Sequence, residues 1–73
     1  MEFVIVTYPP AQRSVFIDGV LTGSTDEVLQ MDAGTHVFDL GDPADYDPES
    51  RKVVVEGTSI LVPMRLAFTR KGG

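Results

Sequence analysis

Hydrophobic and polar residues alternate with a period of two through much of this chain, which is the pattern of half-buried β-strands. The clearest short example runs from Thr35 to Leu40, where His36, Phe38 and Leu40 fall on one face. β-Branched and aromatic residues, which favour strands, dominate the other candidate segments. These segments are 3–7, 15–17, 51–56 and 59–68.

The longest alternation runs from Ser59 to Phe68 and predicts the last strand of the fold. Pro63 lies within this segment and has no N–H group to donate to a neighbouring strand. We therefore expect the strand to lie at the edge of a sheet or to carry a bulge at Pro63. One face of this strand carries Ile60, Val62, Met64, Leu66 and Phe68.

The sequence Asp18-Gly19 lies between two apolar segments and is the strongest hairpin signal in the chain. Both central positions of such a turn need positive φ, which Asp and Gly adopt more readily than most residues. A two-residue loop predicts that Phe16 pairs with Leu21 on one face of the hairpin. Val15, Ile17 and Val20 then occupy the other face, and Val15 is expected opposite Thr22.

The segment from Ser24 to Gly34 admits two interpretations. Ser24 and Glu27 form a capping-box pattern, and Gly34 would end a helix of about nine residues. Alternatively, Leu29 and Met31 point inward from a short strand. Local rules leave both interpretations open.

Residues 41–50 are rich in carboxylates and contain two prolines, so they predict a loop. Asp45, Asp47 and Glu49 alternate as the oxygen ligands of a Ca²⁺ loop do, but no glycine occupies the position at which an EF-hand loop turns. We expect a solvated loop without a metal, so that millimolar Ca²⁺ leaves the melting temperature unchanged. Tyr46 is expected to anchor the loop to the core.

About seven short strands without a helical period predict an all-β protein, a small antiparallel β-sandwich. Residues 1–69 are expected to form its single domain and residues 70–73 a flexible tail. One face of each sheet is then buried. The predicted core is Val15, Ile17, Leu29, His36, Phe38, Val53, Val55, Val62, Met64 and Leu66.

Composition narrows the possible functions. Lys and Arg together number 6 against 11 for Asp and Glu, and the formal charge is −5. This acidity disfavours binding to nucleic acids and to anionic membrane surfaces, which both require basic residues. The chain has no Cys, which excludes disulfides, thiolate metal sites and a cysteine nucleophile.

Met1 leads directly into the first predicted strand, without a basic segment or a long apolar one. We therefore expect neither a signal peptide nor a membrane-inserted segment. The cytoplasm is the default location for such a chain. A piece of a longer envelope protein would instead be associated with the cell envelope.

A series of turn, glycine and core positions extends from Val15 to Tyr46. It comprises Val15-x-Ile17-Asp18-Gly19, Gly23-x-Thr25, Leu29, Gly34-x-His36, Phe38 and Tyr46, with Leu66 in the final strand. This series resembles a PEGA domain, a short β module of bacteria and archaea, although Asp26 stands where that family usually has Pro and the Pro-Glu-Gly-Ala string is absent. The resemblance implies an antiparallel sandwich of the immunoglobulin or prealbumin-like kind. It also implies no catalysis and no cofactor, in a module of cell-surface or envelope proteins.

The terminal Gly72-Gly73 suggests an alternative function. Ubiquitin-like modifiers and sulfur carriers are of this size, begin with a strand and end in a flexible Gly-Gly tail. A helix between Thr25 and Ala33, packed across a sheet, would favour this β-grasp alternative over the sandwich.

The candidate sites point to binding rather than catalysis. His36 is the only histidine, and we expect it to be structural, with its ring nitrogens bonded to backbone near the turn at 32–34. No nucleophile or paired carboxylates with a groove accompany it, so we expect no enzymatic activity. Phe16 and Leu21 lie on the hairpin face opposite the predicted core, and they form the candidate contact for an unknown protein partner.

Overall fold

The computed structural model describes residues 1–72 and shows an all-β protein, as predicted. Its described part contains no helix, and therefore none long and apolar enough to cross a membrane. The strands are β1 (Glu2–Thr7), β2 (Ser14–Ile17), β3 (Val20–Ser24), β4 (Val28–Met31), β5 (Gly34–Asp39), β6 (Tyr46–Asp47), β7 (Arg51–Val55), β8 (Met64–Ala67) and β9 (Thr69–Arg70).

The strands form two larger sheets and one small one. The order is β4-β1-β8 in the three-stranded sheet and β3-β2-β5-β7 in the four-stranded sheet, while β6 pairs with β9. The pairs are antiparallel except for β1 and β8, which are parallel. As predicted from Pro63, β8 lies at a sheet edge, and it begins only after that residue.

Both larger sheets contribute to one hydrophobic cluster. Val4 and Val6 of β1 are fully buried, as are Val15 of β2, Phe38 of β5 and Val55 of β7. Tyr46 is also buried, which confirms that it anchors the loop, and its ring meets that of Phe68 edge-on at 5.5 Å. The other members of the cluster are Tyr8, Ile17, Leu29, Met31, Leu40 and Leu66.

The predicted core is correct for most of its members and wrong at Val62. Val62 is 72% exposed because the chain forms a turn at 59–62 instead of a strand, with hydrogen bonds in both directions between the backbones of Ser59 and Val62. Ile60 and Leu61, at the tip of this turn, are exposed as well. The predicted core members that are only half-buried are His36, Val53 and Met64.

The ambiguous segment after Ser24 is a strand, with Leu29 and Met31 buried and Val28 and Gln30 exposed. The Glu27 carboxylate does reach the N–H group of Ser24, at 3.2 Å, but it closes a turn and not a helix. The helix that would have favoured the β-grasp alternative is therefore replaced by β4.

The ordered part of the chain extends further than predicted. Arg70, which we assign to the flexible tail, pairs with Tyr46 in the smallest sheet. The N–H group of Lys71 then donates to the carbonyl of Asp45 at 3.0 Å. The expectation for Gly73 lies outside the described residues.

Candidate contact surface

The β2–β3 hairpin has the predicted turn. Asp18 and Gly19 both have positive φ, 53° and 81°, which matches the two-residue turn whose twist suits a hairpin. Phe16 pairs with Leu21, and Ile17 with Val20, as predicted. The third predicted pair is wrong, because a bulge places Gly23 opposite Val15 and leaves Thr22 without a direct partner.

A hydrogen-bonded clamp attaches the hairpin turn to β5. Asp18 Oδ2 lies 2.7 Å from Nδ1 of His36, and Asp18 Oδ1 accepts from the N–H group of Val37 at 2.9 Å. Nε2 of His36 lies 2.7 Å from the carbonyl oxygen of Asp32, in agreement with the predicted backbone contact. The Asp18 contact was not predicted.

Both ring nitrogens of His36 face acceptors, and this geometry favours the doubly protonated imidazolium. The hydrogen bond to the Asp18 carboxylate, followed by that to the Asp32 carbonyl, raises the pKa of His36. Conversely, hydrogen bonds from His36 and from the Val37 backbone lower the pKa of Asp18. The clamp is thus a charged, structural contact at the surface.

The predicted contact residues lie side by side, but they differ in exposure. Leu21 is 60% exposed on the outermost strand. Phe16 is half-buried, because its ring lies against the backbone of Gly41, where a Cβ atom would come within 2.5 Å of Cε1. Gly41 has a φ of +71°, so both its conformation and its position against Phe16 favour glycine.

Two valines that the prediction did not include extend this surface across the sheet. Successive residues of a strand point to opposite faces, so the face opposite the core receives Phe16 and Leu21 together with Val37 of β5 and Val54 of β7. Each of the four strands contributes one of these residues. We call this set, Leu21, Phe16, Val37 and Val54, the apolar stripe.

The acidic loop is held by Arg13, a residue without a local sequence signal. Its Nη1 donates to Asp45 Oδ1 at 2.6 Å and its Nη2 to the carbonyl of Pro43 at 2.7 Å. The guanidinium also lies over the rings of Tyr8 and Tyr46, at 5.7 and 5.2 Å from their centroids. Asp45 is therefore engaged in an ion pair. Residues 1–72 contain no group of three His, Asp or Glu side chains that could hold a metal ion.

A groove of about 420 Å³ lies beside this ion pair. Its walls combine the apolar surfaces of Tyr8, Pro10 and Pro43 with the charged groups of Arg13 and Asp45. Arg13 and Asp45 bind each other, so the wall charge without an ion pair among residues 1–72 is that of Arg70.

Comparisons with protein-family models, with curated proteins and with solved structures find no match to this chain. The choice among functions therefore depends on the surface itself. Sequence alternation already places Val37 opposite Phe38, and Val54 opposite Val55. Alternation does not give the registers of β2 with β5 and of β5 with β7, which together bring Val37 and Val54 onto one face with Phe16.

Proposed function

We infer that this protein is a non-enzymatic binding module, a β-sandwich of the PEGA kind that contacts a protein partner through its apolar stripe. One observation carries the proposal. The face of the four-stranded sheet that points away from the core has an apolar residue on every strand, and two of these, Leu21 and Val54, are 60% and 55% exposed.

Two structural features support a sandwich. The two larger sheets share one hydrophobic cluster, which is how paired sheets bury their inner faces. The chain returns from β4 in one sheet to β5 in the other through a short turn at residues 32–33.

The composition of the stripe supports a protein as the partner. Single exposed apolar residues are ordinary, whereas neighbouring ones that cross a whole sheet are typical of contact surfaces. The half-buried Phe16 ring is fixed against Gly41, so little of its conformational freedom remains to be lost on binding. Lys52, which pairs with Val37, and Asp39, which pairs with Phe16, give the stripe a polar border, as the rim of an interface has.

The test compares the wild-type protein with a Phe16→Ser, Leu21→Ser double variant in pull-downs from the source organism and in sedimentation equilibrium. We expect the variant to remain folded and to lose the partner or the self-association seen with the wild type. If the variant unfolds, Phe16 belongs to the core. The decisive variant is then Leu21→Ser with Val54→Ser, because both positions are exposed.

A matched control is Leu61→Ser, which removes an exposed apolar side chain from a turn outside the stripe. The control should retain all binding. Binding that survives the Leu21→Ser, Val54→Ser variant but is lost in the control would refute the stripe as the contact surface.

A further inference from the structure

Strand β3 is an open edge of the four-stranded sheet, with β2 as its neighbour on one side only. A two-residue turn makes Ile17 and Val20 the hydrogen-bonded pair. The N–H and C=O groups of Leu21, one residue further, therefore point away from β2. They are available to another strand.

The two larger sheets have three other edge strands, and each has a feature that discourages pairing. Strand β7 begins with two basic residues, Arg51 and Lys52, and β8 follows Pro63 and contains Arg65. Charged side chains and proline are the devices by which proteins protect exposed edges. Strand β3, with the sequence Val-Leu-Thr-Gly-Ser, has neither.

Strand β4 also lacks charge, but its flanking residues oppose self-association. Glu27 precedes it and Asp32 follows it. If two copies of β4 paired in antiparallel fashion about their centres, Glu27 of each copy would lie opposite Asp32 of the other. Like charges directly opposite destabilise a ladder.

We propose that β3 pairs in antiparallel fashion with β3 of a second copy of this chain, joining two four-stranded sheets into one about a two-fold axis. Pairing centred on Leu21 places Val20 opposite Thr22, Gly19 opposite Gly23 and Asp18 opposite Ser24. No like charges meet in this register. The outward N–H and C=O groups of Leu21 bond to their counterparts in the other copy.

The same pairing makes the apolar stripe continuous across both copies, because Leu21 of one copy lies beside Leu21 of the other. In this respect the pairing rests on the proposed binding function, since both use Leu21. The contact itself is different, because it is made by the backbone at the edge of the sheet. An isologous contact of this kind closes after two copies and does not extend into a fibre.

The experiment is sedimentation equilibrium of the full chain between about 0.05 and about 2 mM, a range suited to the weak affinity of so short an interface. We expect a monomer–dimer equilibrium. Leu21→Pro removes the outward N–H group, which an edge strand tolerates, and should weaken association at least ~10-fold. Leu61→Lys changes an exposed apolar residue outside both β3 and the apolar stripe and should leave association unchanged.

A mixed sample of isotope-labelled and unlabelled wild-type chains tests the register directly. Contacts between copies at Leu21, observed by isotope-filtered NMR, would support the pairing even if Leu21→Pro fails to fold. A chain that stays monomeric up to about 2 mM, the highest concentration of the experiment, would overturn it. So would a dimer that Leu21→Pro leaves intact.

A third result distinguishes this proposal from the binding function. If Val54→Lys abolishes association while the Leu21 amide exchanges freely with solvent, the copies meet through the faces of their sheets. That result overturns strand pairing and supports the stripe as a contact surface. If the copies pair through β3 and the stripe variants still bind every other partner, the result supports strand pairing and overturns the stripe as a contact surface.

Discussion

Two segments of this chain have the same alternation of apolar and polar residues but form different structures. Residues 35–39 lie in β5 and Leu40 follows directly after it; Phe38 is completely buried and Leu40 almost completely. Residues 59–68 form strand β8 only in their second half, and Ile60, Leu61 and Val62 are 63%, 89% and 72% exposed.

The difference lies in the neighbours that each segment has. Strand β5 pairs with β7 along residues 34–38, and on its other side Phe38 and Asp39 pair with β2 while Val37 bonds to Asp18. The segment before β8 contains Pro63, and Ser59 bonds to Val62 within the segment itself, at 3.1 and 3.2 Å. Alternation therefore reports the capacity to form a strand, and the availability of ladder partners decides whether the strand forms.

Phe38→Ala is the strongest test of this comparison. Phe38 is completely buried, and truncation of a buried Phe costs ~3–5 kcal/mol through lost contacts and the cavity left behind. A domain of this size has little more stability than that, so we expect the variant to be largely unfolded. Circular dichroism and urea denaturation measure the effect.

Val62→Ala is the matched change in the other segment and should alter the free energy of unfolding by less than ~0.5 kcal/mol. A stable Phe38→Ala protein, or a strongly destabilised Val62→Ala protein, would mean that the two segments have exchanged roles.

The acidic loop at residues 41–50 extends the comparison, because it is mostly irregular and yet is held by the side chain of Arg13. The guanidinium of Arg13 bonds to Asp45 and to loop carbonyls, and the side chain is only 13% exposed. Arg13→Met keeps the apolar stem but leaves these acceptors unpaired. We expect a loss of about 1–2 kcal/mol, because the guanidinium is largely buried but its acceptors on Asp45 and Pro43 are exposed and can bind water instead.

The matched control is Arg65→Met, which changes an exposed arginine on β8. Urea denaturation should show a change below ~0.5 kcal/mol for this variant. Equal losses in the two variants would indicate that arginine acts through general charge and not through the contacts of Arg13.

The features that the sequence predicts correctly are local. The Asp18-Gly19 turn needs only its own residues and their immediate neighbours, and the faces of β5 follow from its alternation. By contrast, Arg13 and Asp45 are 32 positions apart, and the parallel pairing of β1 with β8 joins opposite ends of the chain. Such contacts depend on how the sheets assemble, and no local pattern specifies them.

The same distinction explains the partial success at the candidate site. Phe16 and Leu21 are neighbours across a hairpin, so their pairing follows from the turn. Val37 and Val54 join them only through the registers of β2 with β5 and of β5 with β7. The Asp18–His36 contact has the same origin, because it requires β2 to lie beside β5.

The clamp on β5 predicts a smaller effect that depends on pH. The folded pKa of His36 is raised, first by the Asp18 carboxylate and then by the Asp32 carbonyl. Stability from the imidazolium is therefore fully present below the unfolded value of about 6.5. It is lost as the pH rises through the higher folded pKa. Thermal melts should show a decline in this window that is absent in His36→Gln.

Asp18 predicts the opposite slope in acid. Its folded pKa is lowered, first by the hydrogen bond to His36. Its contribution is therefore present above its unfolded pKa and is lost as the pH falls through the lower folded value. The Asp18→Asn variant should lose this acid-side dependence, and NMR titration of the His36 ring should show a lower pKa than in the wild type. An unchanged His36 titration in Asp18→Asn would show that the clamp does not form in solution.

The smallest expected effect belongs to the most exposed apolar side chain. Leu61 lies at the tip of the turn at 59–62 and is 89% exposed, so Leu61→Ser removes almost no buried surface and should change the free energy of unfolding by less than ~0.5 kcal/mol. The base of this turn is held independently, because Thr58 Oγ1 accepts from the N–H group of Phe3 at 2.8 Å and donates to Glu2 Oε1 at 2.7 Å. Thr58→Val removes both bonds and should therefore destabilise the protein more than Leu61→Ser does, although it lies only three positions away.

Urea denaturation of the two variants gives the free energy of unfolding of each, and the difference shows where the packed base of the turn ends and its exposed tip begins. If Leu61→Ser proved the more costly change, the turn would be packed against the protein in solution, and the contrast between β5 and this segment would no longer hold.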